Sequence, residues 1–354
     1  MASAAGKPRP AVAGQLIAVA LSACTLLSAC TGQPQRHAAR PARQDTETGP
    51  PAAVTRPPAV SSGRTARLGT LGSFRVGERQ MTLVEPAHTG PAGQSLGRRP
   101  LVTQIRYPLA QPPAGPGPAR GPFPLLLFAP GFMQCGGPYS RLLHAWATAG
   151  YVVAVVNFPR TDCRTGTAAF EPDLVNQPGD MSYVLSRLLA LSARPHDVFS
   201  GLLDRHEIGA AGQSDGGDTV AALAANACCS DHRLDAAAVL SGAEWPPMPG
   251  RYFPHRTPPM LFVQGSADPV NPPWTSLQLY RADGHDGRYY LDLFGANHMV
   301  PYVGTSPVEQ IVARVTLAFF DRYVLGQAGA RATMRRDGNV RRTAALVSGS
   351  RLPP

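Results

Sequence analysis

Charge is scarce in this chain. Asp, Glu, Lys and Arg make up 16% of its 354 residues, against 44% apolar. A disordered segment needs the opposite balance, so wholesale disorder is excluded and a packed core is expected. Lysine is almost missing: Lys7 is the only one, and every other basic side chain is arginine. This reads as arginine-biased coding. Metal-binding spacings are missing as well. There is no paired Cys-x-x-Cys and no His-Glu-x-x-His, and the run Cys228, Cys229, Asp231, His232 has neither form, so no metal and no cofactor is expected. Internal repeats are absent, which argues against a solenoid. Glycine (36) and proline (37) are plentiful, but their sum stays below the roughly 25–30% of a low-complexity chain.

The formal net charge is +10, which by itself suggests a nucleic-acid partner. Its location removes that reading. Residues 30–67 carry six arginines against Asp45 and Glu47, and residues 326–354 carry six against Asp337 alone. Lys7 and Arg9 add two more at the start. The stretch 68–325 is close to neutral and reads as one globular domain, with no nucleic acid expected.

A basic start followed by the apolar run 11–29 has the order of a secretory signal. The run closes on Leu27-Ser28-Ala29-Cys30, which resembles a bacterial lipoprotein signal with Cys30 as the lipidated residue. A second copy ends at Cys24, but apolar sequence follows it, whereas polar sequence follows Cys30. The other reading is an uncleaved anchor, since nineteen apolar residues nearly span a bilayer. Residues 30–67 read as a Pro/Arg-rich tether. Residues 326–354 read as a basic tail outside the fold. The chain is therefore expected to be exported, as a cell-envelope lipoprotein or a secreted protein, meeting the membrane through a lipid anchor.

Between these ends, strands and helices alternate. Strands are expected at 79–84, 101–107, 123–129, 151–157, 208–212, 235–240, 260–264 and 289–293. The continuous apolar runs FPLLLFA and YVVAVVN fit fully buried parallel strands. Helices are expected at 138–149, 179–192, 215–227, 272–282 and 306–325, with Asp180 capping the second. The alternation means α/β with a mostly parallel sheet.

The pattern Gly-x-Ser-x-Gly occurs twice, so context must choose. Ser95 lies in a Pro/Gly-rich loop that leads into a strand. Ser214, in Gly212-Gln213-Ser214-Asp215-Gly216, follows a short strand and opens a helix. A nucleophile elbow needs that strand–turn–helix setting, with flanking glycines where side chains would clash. The plain alternative for Ser214 is a helix N-cap. A serine hydroxyl also needs a base. Asp268 and His298 each follow a strand, in the order Ser, acid, His, and catalytic groups gather at the C-terminal ends of parallel strands. His255 and His285 precede strands and lie at the wrong end. The oxyanion needs two backbone donors. Asp215 is expected to give one, and Phe132, in the loop after FPLLLFA, the other. Phe132, Met133, Trp245, Val270 and Met299 are candidate substrate-wall residues. Of the cysteines beyond the signal, Cys135 and Cys163 follow adjacent strands and are expected to bridge. Cys228 and Cys229 are either a vicinal bridge or two thiols.

These residues resemble the α/β-hydrolase superfamily. The carrying motifs are APGF at 129–132, GQSDGG at 212–217, Trp245, TPPMLFVQGSADPV at 257–270 and DLFGANHMVP at 292–301. Within it they look like cutinase-like polyester hydrolases and platelet-activating-factor acetylhydrolase-like esterases. Gln213 and Asp215 stand where the polyester hydrolases have His and Met, and Phe132 where they have Tyr. The resemblance implies an α/β-hydrolase fold and a serine esterase acting on small-molecule or polymeric esters, and a monomer is expected. Only residues 243–257 separate two strands where a cap would sit, so no large cap domain is expected. Acyl transfer with the same triad, and a non-catalytic surface-binding lipoprotein on this scaffold, are the alternatives.

Overall fold

A computed structural model describes residues 69–110 and 117–353. Cys24, Cys30, the signal and the tether fall outside the described residues. Among the described residues, eleven strands and six α-helices follow one another. They are β1 (Val76–Glu85), β2 (His88–Thr89), β3 (Ser95–Leu96), β4 (Arg99–Pro108), β5 (Phe123–Ala129), α1 (Ser140–Thr148), β6 (Val152–Asn157), α2 (Gln177–Ser192), β7 (Leu203–Gln213), α3 (Asp215–Ala225), β8 (Ala236–Leu240), β9 (Met260–Gly265), α4 (Pro273–Ala282), β10 (Tyr289–Leu293), α5 (Pro307–Tyr323), α6 (Ala330–Gly338) and β11 (Ala344–Ser348).

Nine strands form one sheet, in the order β1-β4-β6-β5-β7-β8-β9-β10-β11. Neighbours from β6 to β10 are parallel, and β1, β4 and β11 add antiparallel edges. Every residue of β5, β6, β8, β9 and β10 is buried, as a sheet covered on both faces requires. The period of two divides the core. Leu125, Leu127, Ala154, Ala210, Val239 and Phe262 face a layer made by α2, α3 and α4. Leu126, Phe128, Val153, Ala211, Leu261 and Leu291 face α1, α5 and α6. The indole N–H of Trp146 donates to Thr316 Oγ1 at 3.0 Å, tying α1 to α5. The α/β class and the mostly parallel sheet match the sequence reading.

Three expectations need correction. The stretch expected as a tail from 326 is, over its described residues to 353, not outside the fold: α6 packs on α5 and β11 pairs with β10 from Tyr289↔Ser348 to Leu293↔Ala344. Met334 and Ala344 are buried there, while Arg331, Arg335 and Arg336 point outward. The basic composition thus describes the exposed face of an ordered edge. Asp180 does not cap its helix. It lies in the first turn of α2, fully buried, and binds Arg99 through both carboxylate oxygens, at 2.7 and 2.6 Å. Asp173 binds the same guanidinium at 3.0 and 2.8 Å. Ser95 is not in a loop but in the short β2–β3 hairpin.

Candidate active site

Ser214 occupies the turn from β7 into α3, with φ +56° and ψ −126°. A non-glycine residue there is strained, at about 1–3 kcal/mol, and holds that shape only when its surroundings enforce it. Packing does so here. A Cβ on Gly216 would sit 1.9 Å from the Ala129 carbonyl oxygen, and one on Gly212 2.0 Å from that of Gly216. Glycine at both positions lets β7, α3 and the loop after β5 close around the serine. Ser214 stands at the N-cap position of α3, but its side chain makes no cap hydrogen bond.

It turns instead to histidine. Ser214 Oγ lies 2.8 Å from His298 Nε2, and His298 Nδ1 lies 2.7 Å from Asp268 Oδ2. The loops after β7, β9 and β10 thus bring together three side chains separated by up to 84 residues. Asp268 is further held by the Val270 and Asn271 amides on Oδ1, at 2.9 and 3.0 Å, and by Gln264 Nε2 on Oδ2 at 3.0 Å. Four donors therefore fix this carboxylate, leaving it little freedom to rotate away from the imidazole.

A second network was not found by sequence reasoning. Gln213 is fully buried, and its Nε2 lies 3.2 Å from both the carbonyl oxygen and Nε2 of His298. Its Oε1 accepts from Tyr139 Oη at 2.7 Å, and that hydroxyl in turn accepts from the Gly131 amide at 3.3 Å. The chain of bonds links the loop after β5 to the histidine. Gln213 was legible only as a departure from the resembled family, and Tyr139 left no signal.

The loop carrying Phe132 lies against the nucleophile, since a Cβ on Gly131 would come within 3.2 Å of Ser214 Cβ. Met133 has φ +56° and its amide is spent on Thr161 O at 2.8 Å. The Phe132 and Asp215 amides donate to no other residue among those described. A disulfide between Cys135 and Cys163 joins this loop to the one after β6, as expected. Cys228 and Cys229 form the vicinal bridge rather than two thiols.

Asp215 distinguishes this side of the site. Its side chain is buried and its Oδ2 has no partner among the described residues. Burial, and then the charge of Glu171, push its carboxyl up to about 7, with its own amide pulling the other way. Asp218, one turn later, is pushed up well above the usual range, first by burial. The loss of hydration disfavours the charged form of both.

Met133 and Val270 are exposed, at 43% and 61%, while Phe132, Trp245 and Met299 are half-buried. All five lie in loops after parallel strands. Of these, Trp245 alone lines a cavity of about 580 Å³ beside the site. His255 and His285 line a different cavity, with Arg256 and Asp286. The stretch between β8 and β9 contains no helix. Among the described residues, no group of three or more His, Cys, Asp or Glu could hold a metal. No family model and no curated protein matches the sequence.

Proposed function

We propose that this chain is a serine carboxylic-ester hydrolase of the α/β-hydrolase type, exported and anchored through a lipid on Cys30. The observation that carries the reading is the line Ser214 Oγ–His298 Nε2–Asp268 Oδ2, at 2.8 and 2.7 Å, on a serine held at positive φ. His298 takes the hydroxyl proton as Ser214 Oγ attacks the ester carbonyl. Asp268, on the opposite ring nitrogen, sets the tautomer and stabilises the imidazolium. The oxyanion is received by the Phe132 and Asp215 amides, whose N–H groups have no other residue to serve. Collapse returns the proton from His298 to the leaving alcohol and leaves an acyl-Ser214. Water, deprotonated by His298, then releases the acid. The two disulfides suit an oxidising compartment.

Hydrolysis of short- and medium-chain nitrophenyl esters tests the reading, together with fluorophosphonate labelling. Turnover and labelling that both disappear in Ser214→Ala are the expected result. A wild-type protein that neither labels nor hydrolyses any chain length would identify a non-catalytic surface protein instead.

A further inference from the structure

The 580 Å³ cavity is not used by the mechanism. Its walls include Glu244, Trp245, Tyr252 and Trp274. Trp274 is 64% exposed on its rim, which leaves its indole open to a ligand in the cavity. Glu244 forms no hydrogen bond or ion pair with any described residue, and burial raises its carboxyl above the ordinary range. Arg251 also reaches the cavity, with its side chain exposed, but makes no ion pair with Glu244. The lip is tied to the nucleophile through two hydrogen bonds. Ala243 N donates to Asp218 Oδ1 at 2.6 Å, and Asp218 N donates to Ser214 O at 3.0 Å. The lip of the cavity is thus fastened to the first turn of α3, the helix that Ser214 opens.

Aromatic faces around an unpaired carboxylate attract an organic cation, which gains from the ring quadrupoles and from the charge together. The Trp245 indole N–H is buried without an acceptor among the described residues.

We infer that this cavity binds the ammonium end of the substrate, so that the hydrolase acts on esters of amino or quaternary-ammonium alcohols. The inference rests on the esterase reading for its substrate class, but cation binding itself does not need turnover. Binding is tested first on Ser214→Ala, by tryptophan fluorescence titrated with choline and with its neutral isostere 3,3-dimethylbutanol. Choline is expected to bind roughly tenfold or more tightly. Glu244→Gln should bring that ratio towards one, and Trp274→Ala should weaken choline binding. Circular dichroism checks that each variant folds. Equal affinities for the two alcohols, or a ratio untouched by Glu244→Gln, would overturn the assignment. Wild-type turnover of butyrylcholine against 3,3-dimethylbutyl butyrate then tests the substrate class. A preference of roughly tenfold for the cationic ester is expected, and equal rates would reject that class. Choline binding with no turnover of any ester would leave the cation site standing and defeat the esterase reading alone.

Discussion

The two flanks of Ser214 are built on opposite terms. On the base side the acid and base themselves are fully engaged: Asp268 takes four hydrogen bonds, and His298 is held by aspartate on one ring nitrogen and by Gln213 at its backbone. On the oxyanion side two amides serve no other residue, a buried carboxyl oxygen has no partner, and Glu171 adds like charge. The first flank is finished before substrate arrives. The second is completed only by the charge that forms during reaction. Orientation is thus prepaid on one side, and electrostatic demand is deferred on the other.

Substitutions on the base side should cost the most. Asp268→Asn keeps the shape but supports the wrong tautomer, so kcat should fall about 10⁴-fold; a loss below tenfold in steady-state ester hydrolysis would mean that the aspartate is not the acid. Next comes the loop that carries Phe132. Replacing Cys135 and Cys163 by serine frees a loop of 28 residues, and should lower unfolding stability by about 3 kcal/mol in urea melts. Unchanged melting would show that the bridge does not brace this flank. Gln213→Ala should reduce kcat by up to about 10²-fold through a misplaced His298, with KM little changed. Gln213→Glu, which keeps the acceptor but loses the amide donor, should restore little. Equal loss in KM would point to a structural role.

The difference between the flanks also explains what the sequence revealed. Ser214, Asp268 and His298 each follow an apolar strand at a turn, so local pattern located them. The oxyanion donors were readable because they are backbone groups fixed by chain position. The Tyr139–Gln213–His298 network depends on side chains 74 and 85 residues apart, and no local pattern encodes such a pairing. Arg99 with Asp173 and Asp180 was hidden for the same reason. The C-terminal edge failed differently. AALVS is five residues long and weakly alternating, arginines crowd its approach, and its partner β10 lies some fifty residues earlier. Composition there described the solvent face and concealed Met334 and Ala344 beneath it.

Asp215 sharpens the comparison most finely, because its state changes near neutrality. Below pH 7 its carboxyl holds a proton and is neutral beside the oxyanion. Above, it carries a charge that repels the oxyanion and competes for its own amide. Ionisation should therefore lower the rate, by about tenfold at most if the charge stays partly hydrated. Asp215→Asn keeps the amide and removes the charge, so wild type and variant should match at pH 5.5, with the variant faster at pH 8. Stability moves the same way. The folded chain keeps this proton to about pH 7, while the unfolded chain releases it near 3.8, so the native state binds more protons between those values. Wild-type stability should then fall as pH rises from about 4 to about 7, and Asp215→Asn should flatten that slope. Parallel pH–rate and pH–stability curves for the two proteins check both effects. Superimposable rate curves across this range would mean that the carboxyl turns away from the oxyanion, and that the two flanks of Ser214 differ less than their hydrogen bonds suggest.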